Sequence, residues 1–180
     1  MPETITEDFF PLVLGSWWEF DTYLPGFPDK PICIRFQMQP PDEKGCYPIQ
    51  IKSLNLRTGV RRGSLRLRKL EGLLRMIADG EPVDLLRFGA RIGDTWAYQP
   101  KKPQYRARLA EIRYERILGE WRPVARVSMH AGDVDSEIVK EYYFASGLGW
   151  VRFTQSRTMG SLEKSFLKNA LVPMAHPSEE

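Results

Sequence analysis

Apolar residues along the chain fall into short runs or alternations rather than long stripes. The stretch Leu65-Arg66-Leu67-Arg68 alternates apolar and basic residues, as a strand with one wet face does, and Val124, Val127 and Met129 repeat this less regularly. Runs of strand length occupy residues 16–24, 32–39, 47–56, 60–70, 95–99, 105–117, 121–129, 137–144 and 150–157. Turn-forming groups separate them: Pro25-Gly26-Phe27-Pro28, Pro40-Pro41-Asp42, Thr58-Gly59, Asp79-Gly80-Glu81-Pro82, Gly132-Asp133 and Met159-Gly160. Two segments carry helical spacing instead. Leu70, Leu73, Leu74 and Ile77 read as strand because Gly72 interrupts them and their neighbours alternate. Leu162, Phe166 and Ala170, up to Pro173, read as a final strand or one short helix. Residues 174–180, which include His176 and end in two glutamates, are expected to fray.

Composition adds bounds to this mostly β pattern. At 180 residues the chain suits a single domain over 1–180, and a domain of that size buries roughly 70% of its unfolded surface without needing a disulfide or metal. Nine Phe, seven Tyr and five Trp, with 14 Gly and 14 Pro, favour short strands and many turns. No run approaches the roughly 18 apolar residues of a membrane span. The opening residues are acidic and polar, unlike a signal peptide, so a cytoplasmic location is expected, with Cys33 and Cys46 as reduced thiols. A hairpin centred near Pro40-Pro41-Asp42 would set Cys33 nearer Ile51 than Cys46.

A repeat organises the chain. Phe10-Pro11-Leu12-Val13-Leu14-Gly15-Ser16-Trp17-Trp18-Glu19-Phe20 matches Phe88-Gly89-Ala90-Arg91-Ile92-Gly93-Asp94-Thr95-Trp96-Ala97-Tyr98 at an offset of 78 residues. Gly72-Leu73-Leu74-Arg75-Met76 matches Gly149-Trp150-Val151-Arg152-Phe153 at an offset of 77. Two ordered blocks at a near-constant spacing imply equivalent units, approximately 9–78 and 86–158, joined near 79–85. Within a strand, Trp18 and Phe20 share one face, as do Trp96 and Tyr98, while Trp17 points away. These rings are either ordinary core or the lining of a cavity for an apolar ligand, together with Trp150.

The first block resembles the "FPL..G..W.Y" opening of a broad group of mostly uncharacterised bacterial β proteins, many of them lipoproteins. Glu141-Tyr142-Tyr143-Phe144-Ala145-Ser146-Gly147-Leu148-Gly149-Trp150-Val151-Arg152 is similar to their late "YYA.GVGLVK" segment, and Gly93-Asp94-Thr95-Trp96 to their central element. The resemblance implies a curved antiparallel sheet, between a half-barrel and a barrel, similar to the lipoprotein carriers LolA and LolB. On this view the chain is two related halves with at most one or two short helices. The resemblance transfers no catalytic residue.

Chemical motifs are sparse. His130-Ala131-Gly132-Asp133-Val134-Asp135-Ser136-Glu137 holds enough donors for a weak metal site but also reads as a polar hairpin turn, which is the stronger reading. The chain has no nucleophile elbow, phosphate loop or zinc-protease motif. Glu111 and Glu115 are too ordinary a pair to mark acid–base work, and Cys33 reads as a small buried residue. The net charge of +3 is uneven: residues 57–75 carry seven cations against Glu71, and the first 29 residues carry acids alone up to that point. Arg61, Arg62, Arg66 and Arg68, with Tyr105, Arg106 and Arg108, form a candidate surface for an anionic partner such as single-stranded nucleic acid. The expectation is therefore a non-enzymatic binding protein without cofactor or metal. Its expected ligand site is Trp18, Phe20, Trp96, Tyr98 and Trp150, and the alternative is a module for a protein or anionic partner using the basic region.

Overall fold

The computed structural model describes residues 2–27, 29–54, 61–156 and 162–173. The first meander comprises β1 (Trp17–Tyr23), β2 (Ile32–Met38), β3 (Tyr47–Ser53), β4 (Arg61–Leu70), β5 (Leu73–Ala78) and β6 (Glu81–Arg87). The second comprises β7 (Thr95–Ala97), β8 (Arg106–Ile117), β9 (Glu120–His130), β10 (Ile138–Ala145), β11 (Gly149–Ser156) and β12 (Leu162–Leu171). All belong to one antiparallel sheet in the order β6-β5-β4-β3-β2-β1-β12-β11-β10-β9-β8-β7, curved into a nearly closed barrel. The one helical element among the described residues is a 3-10 turn, Glu7–Phe9. Each meander enters its first strand through a glycine at positive φ, Gly15 at 89° and Gly93 at 96°.

Both segments with helical spacing are strands, β5 and β12. Residues 79–85 are more than a junction. Asp79 and Gly80 alone make the turn, and the chain continues directly as β6. Pro82 obscured this strand in the sequence, yet a strand at the end of the sheet order tolerates a residue with no N–H. In the β2–β3 hairpin Cys33 lies beside Leu54, whose N–H donates to the Cys33 carbonyl at 2.8 Å, so Cys33 is nearer Ile51 than Cys46, as expected. The loop between the strands is tied by the Asp42 carboxylate, which accepts N–H bonds from Lys44 and Cys46, both 2.9 Å. Thr58-Gly59, Met159-Gly160 and the tail with His176 lie outside the described residues.

A sheet of this width leaves more interior than inward side chains from its strands fill in smaller barrels. At the rim where β1 begins, the N-terminal segment supplies the missing volume. Ile5 and Phe9 are each 1% exposed and Phe10 2%. Phe10 lies 4.7 Å from Trp150, 5.6 Å from Trp18 and 6.1 Å from Phe144 between ring centres. Backbone bonds hold the plug: Ile5 N–H to the Ala90 carbonyl (3.0 Å), Gly89 N–H to that of Ile5 (2.7 Å) and Gly147 N–H to that of Asp8 (2.7 Å). Gly149 passes so close that a Cβ there would meet Phe10 at 3.1 Å. A smaller cluster of Val124, Tyr143, Ala145, Leu148 and Val151 packs on the outer side of the sheet, with Ile117 against it.

The barrel closes where β6 meets β7. Asp84 N–H donates to the Tyr98 carbonyl at 2.7 Å, and the Trp96 indole N–H donates to the Asp84 carbonyl at 2.8 Å. The Asp84 carboxylate is gripped by Arg75, at 2.6 and 3.2 Å, and this bond holds the guanidinium pKa above its ordinary value.

Truncating the plug leaves a cavity among packed rings. Phe10→Ala is expected to lower unfolding free energy by about 3–5 kcal/mol in chemical denaturation. Phe27→Ala, at a ring 62% exposed, is expected to change it by less than about 0.5 kcal/mol.

Candidate functional site

At the rim opposite the plug, strand register alone determines which side chains face inward. Thr22 pairs with Ser165 across β1 and β12, and their hydroxyls are hydrogen-bonded at 2.9 Å in the interior. Ser165 pairs with Phe153, and Phe153 with Tyr142, so these four form one inward row. One step nearer the rim, Lys140 pairs with Gln155 and Gln155 with Glu163, giving a second inward row across β10, β11 and β12. On the far wall Ile32, Ile51, Ala78 and Val83 face in, with Tyr98 and Tyr105 beside them, and at the rim the exposed Glu81 takes the inward register position opposite Ala78. Ile32, Ile51, Ala78, Val83, Tyr105 and Phe153 are only partly buried although they point inward, and Gln155 is exposed. Inward yet solvated side chains mark this rim as the more open end of the barrel, above the aromatic floor.

Its electrostatics follow from enclosure. Burial lowers the Lys140 pKa, and the nearby Glu163 offsets only part of that. Burial, with a smaller contribution from Tyr98, pushes the Tyr142 phenol up to about 12. Tyr98 is raised by burial first and by Tyr105 second. The Ser53 hydroxyl, also on an inward position, has no hydrogen-bond partner among the described residues.

The five rings singled out in the sequence divide into two groups. Trp18, Phe20 and Trp150 join Phe36 and Phe153 in one aromatic cluster, with Trp18–Trp150 at 5.8 Å, Phe20–Phe36 at 5.2 Å and Phe36–Trp150 at 5.6 Å. Trp96 and Tyr98 stand at the β6–β7 seam, and Trp96 borders a cleft of about 420 Å³ with Leu86, Phe88 and Leu73. All five are buried, Trp18, Phe20 and Trp150 in the aromatic floor and Trp96 and Tyr98 at the seam. Sequence reasoning missed Lys140, Gln155 and Glu163. Only their shared inward register unites them, and that depends on strand pairings invisible in the chain.

Only part of the basic region falls among the described side chains. Arg66 and Arg68 alternate with buried Leu65 and Leu67 and so point outward, Arg66 lying 3.9 Å from Asp42. Tyr105 turns inward and packs on the core, away from that face. The side chains of Arg61 and Arg62 lie outside the described residues. His130 uses both ring nitrogens in its turn, 2.9 Å from the Ser136 carbonyl and 3.1 Å from the Ser128 hydroxyl. Among the described residues no group of three or more His, Cys, Asp or Glu is arranged to hold a metal. On the outer surface Tyr23, Leu24, Pro25, Gly26, Leu162, Lys164 and Phe166 line a groove of about 640 Å³.

No protein-family model matches the chain, and no curated protein matches it. Solved structures do. One, described as an exported protein with a YmcC-like fold from Bacteroides fragilis, superposes with a TM-score of 0.55 at 13% identity, covering 91% of this chain and 99% of that one. Another, described as a lipoprotein from Parabacteroides distasonis, has a TM-score of 0.55 at 11% identity, covering 95% and 100%. A lipoprotein-sorting domain from Vibrio parahaemolyticus covers 92% and 88% at 7% identity, with a TM-score of 0.33, and adds nothing to the fold assignment. The fold is thus the barrel of the first two. These likenesses correct the expected cytoplasmic location: the matched proteins are described as an exported protein and a lipoprotein, which points away from the cytoplasm. The expectation rested on the opening residues, which bear on a leader peptide and not on where such a barrel works.

The raised Tyr142 pKa makes a signed prediction. The native state keeps this proton above pH 10, where an ordinary tyrosine in the unfolded chain gives it up. The associated stability is whole below pH 10 and is lost as pH rises towards about 12. Melting temperature is expected to fall more steeply between pH 10 and 11.5 in the natural protein than in Tyr142→Phe. The difference corresponds to on the order of 2 kcal/mol.

Proposed function

We propose that the protein is a non-enzymatic binding protein that holds an apolar or amphipathic small molecule in the chamber of the barrel and works outside the cytoplasm. The observation that carries this reading is the combination of inward orientation and partial exposure at Ile32, Ile51, Ala78, Val83 and Phe153. A barrel built only for stability would close over such residues, as this one does at the plugged end. The matched structures, described as an exported protein and a lipoprotein, support the location. The equivalent placement of Gly15 and Gly93, each ahead of a buried Trp whose indole N–H donates to a backbone carbonyl, supports two related units within a single domain. The sequence placed the ligand on Trp18, Phe20, Trp96, Tyr98 and Trp150. In the present reading Trp18, Phe20 and Trp150 are the floor beneath it. A basic interaction surface is not supported.

Isothermal titration with n-dodecyl maltoside, below its micellar concentration, is expected to show saturable binding of one molecule per chain. Ala78→Trp, which fills the chamber from the wall, is expected to weaken that binding at least tenfold with an unchanged melting temperature. Absence of saturable binding, or equal binding by the folded Ala78→Trp protein, would overturn the proposal.

A further inference from the structure

The longest strands among the described residues, β8 and β9, run on past their neighbours at the plugged end of the barrel. β7 accompanies β8 only at Arg106–Arg108, and the backbone of Gly93 and Asp94 extends that cover no further than Leu109. On the other side β10 follows β9 to Val124, with one more bond from the Ser146 N–H to the Pro123 carbonyl. From Ala110 to Ile117, therefore, β8 has β9 on one side and no paired segment among the described residues on the other. The pairing determines which backbone groups this edge presents. Leu118 and Gly119 both have positive φ, 49° and 90°, in a two-residue turn closed by the hydrogen-bonded pair Ile117–Glu120. Bonded and non-bonded pairs then alternate along the hairpin. Tyr114 falls opposite Pro123, which has no N–H to give, so the N–H and C=O of Tyr114 point away from β9. Those of Ile112 and Arg116 do the same.

Unpaired edges invite pairing, and charges on an edge normally discourage it. Here the order of the charges discourages every register but one. We infer that this edge is a self-association surface, on which two copies of the chain pair antiparallel about a twofold axis at Tyr114. Outward backbone groups then meet only outward ones: Tyr114 meets the partner's Tyr114, and Ile112 the partner's Arg116. On the opposite face Arg113 meets the partner's Glu115 on both sides of the axis. Within one chain Arg113 already bonds Glu115 at 2.8 Å, so the pair brings four charges together with alternating sign. A shift of two residues one way sets Arg113 against the partner's Arg113, and the other way sets Glu115 against the partner's Glu115. A shift of one residue mismatches both the backbone groups and the faces. The side chains are accessible, Tyr114 being 50% and Arg113 53% exposed. In the favoured register each turn reaches the level of Ala110 on the other copy, just short of Leu109, so the free edge is used along its length. Leu118, 46% exposed in that turn, arrives beside Ile92, 52% exposed next to Gly93. Because the two strands run in opposite directions, the open ends of the barrels point apart. The association is thus independent of what the barrel holds.

Sedimentation equilibrium from low micromolar to submillimolar concentration is expected to show the mass rising from that of one chain towards that of two. Tyr114→Pro removes an N–H from the free side alone, and Arg113→Glu sets an acid against the partner's Glu115. Each is expected to weaken association at least tenfold, and a melting curve shows whether the variant remains folded. Tyr114→Cys brings its two copies to about 5.5 Å between Cα atoms and is expected to give a disulfide-linked dimer on oxidation. Arg113→Cys and Glu115→Cys meet their own copies only in the shifted registers, and neither these nor the natural protein should cross-link. A natural protein of single-chain mass throughout would overturn the inference, as would undiminished association of folded Arg113→Glu. Cross-linking at 113 or 115 in place of 114 would overturn the register.

Discussion

The constraint on which this structure depends is the width of a twelve-stranded sheet that has almost closed on itself. Side chains reaching in from one layer of backbone cannot meet across such a span as they do in a narrow barrel. The protein fills one end with a separate piece of chain. Phe10 is the wedge of that plug, edge-on to Trp150 at 83° and in contact with Trp18 and Phe144. Gly149 is required beneath it because any side chain there would occupy the space of the ring. At the other end no described segment plays this part, and inward residues remain partly in contact with water.

The same constraint makes the closure economical. Along β1–β12 the ladder runs through seven paired residues, whereas β7 is three residues long and meets β6 through Asp84 and Tyr98. Asp84 concentrates the junction in one residue. Its N–H and carbonyl face β7 and Trp96, while its carboxylate is held from β5 by Arg75. The interior therefore has an aromatic floor, a lightly bonded seam and, along β10–β12, an apolar-to-polar gradient towards the rim. That gradient suits an amphipathic occupant better than a purely hydrocarbon one.

Much of the architecture was legible in the chain because strands with one wet face carry a period of two. Leu65–Arg68 shows this directly, with both leucines buried and both arginines outward. The recurrence of Gly, then Trp, then an aromatic marked both strand entries. β6 was hidden because Glu81-Pro82 reads as turn chemistry, and its tolerance for proline depends on its place at the end of the sheet. The chamber was hidden for a different reason. Trp18, Phe20 and Trp150 stand out in a sequence by size, which is also why the core claims them. Lys140, Gln155 and Glu163 are separated along the chain, and only the pairings of β10, β11 and β12 bring them into one row.

The central claim is that an occupant lies inside the barrel, against the apolar wall. Nuclear Overhauser contacts between the chain protons of bound n-dodecyl maltoside and isotopically labelled protein test it most directly. The account predicts contacts from the ligand chain to the methyl groups of Ile32, Ile51, Ala78 and Val83. Contacts confined to Leu24, Leu162 and Phe166 would place the ligand in the outer groove and contradict it.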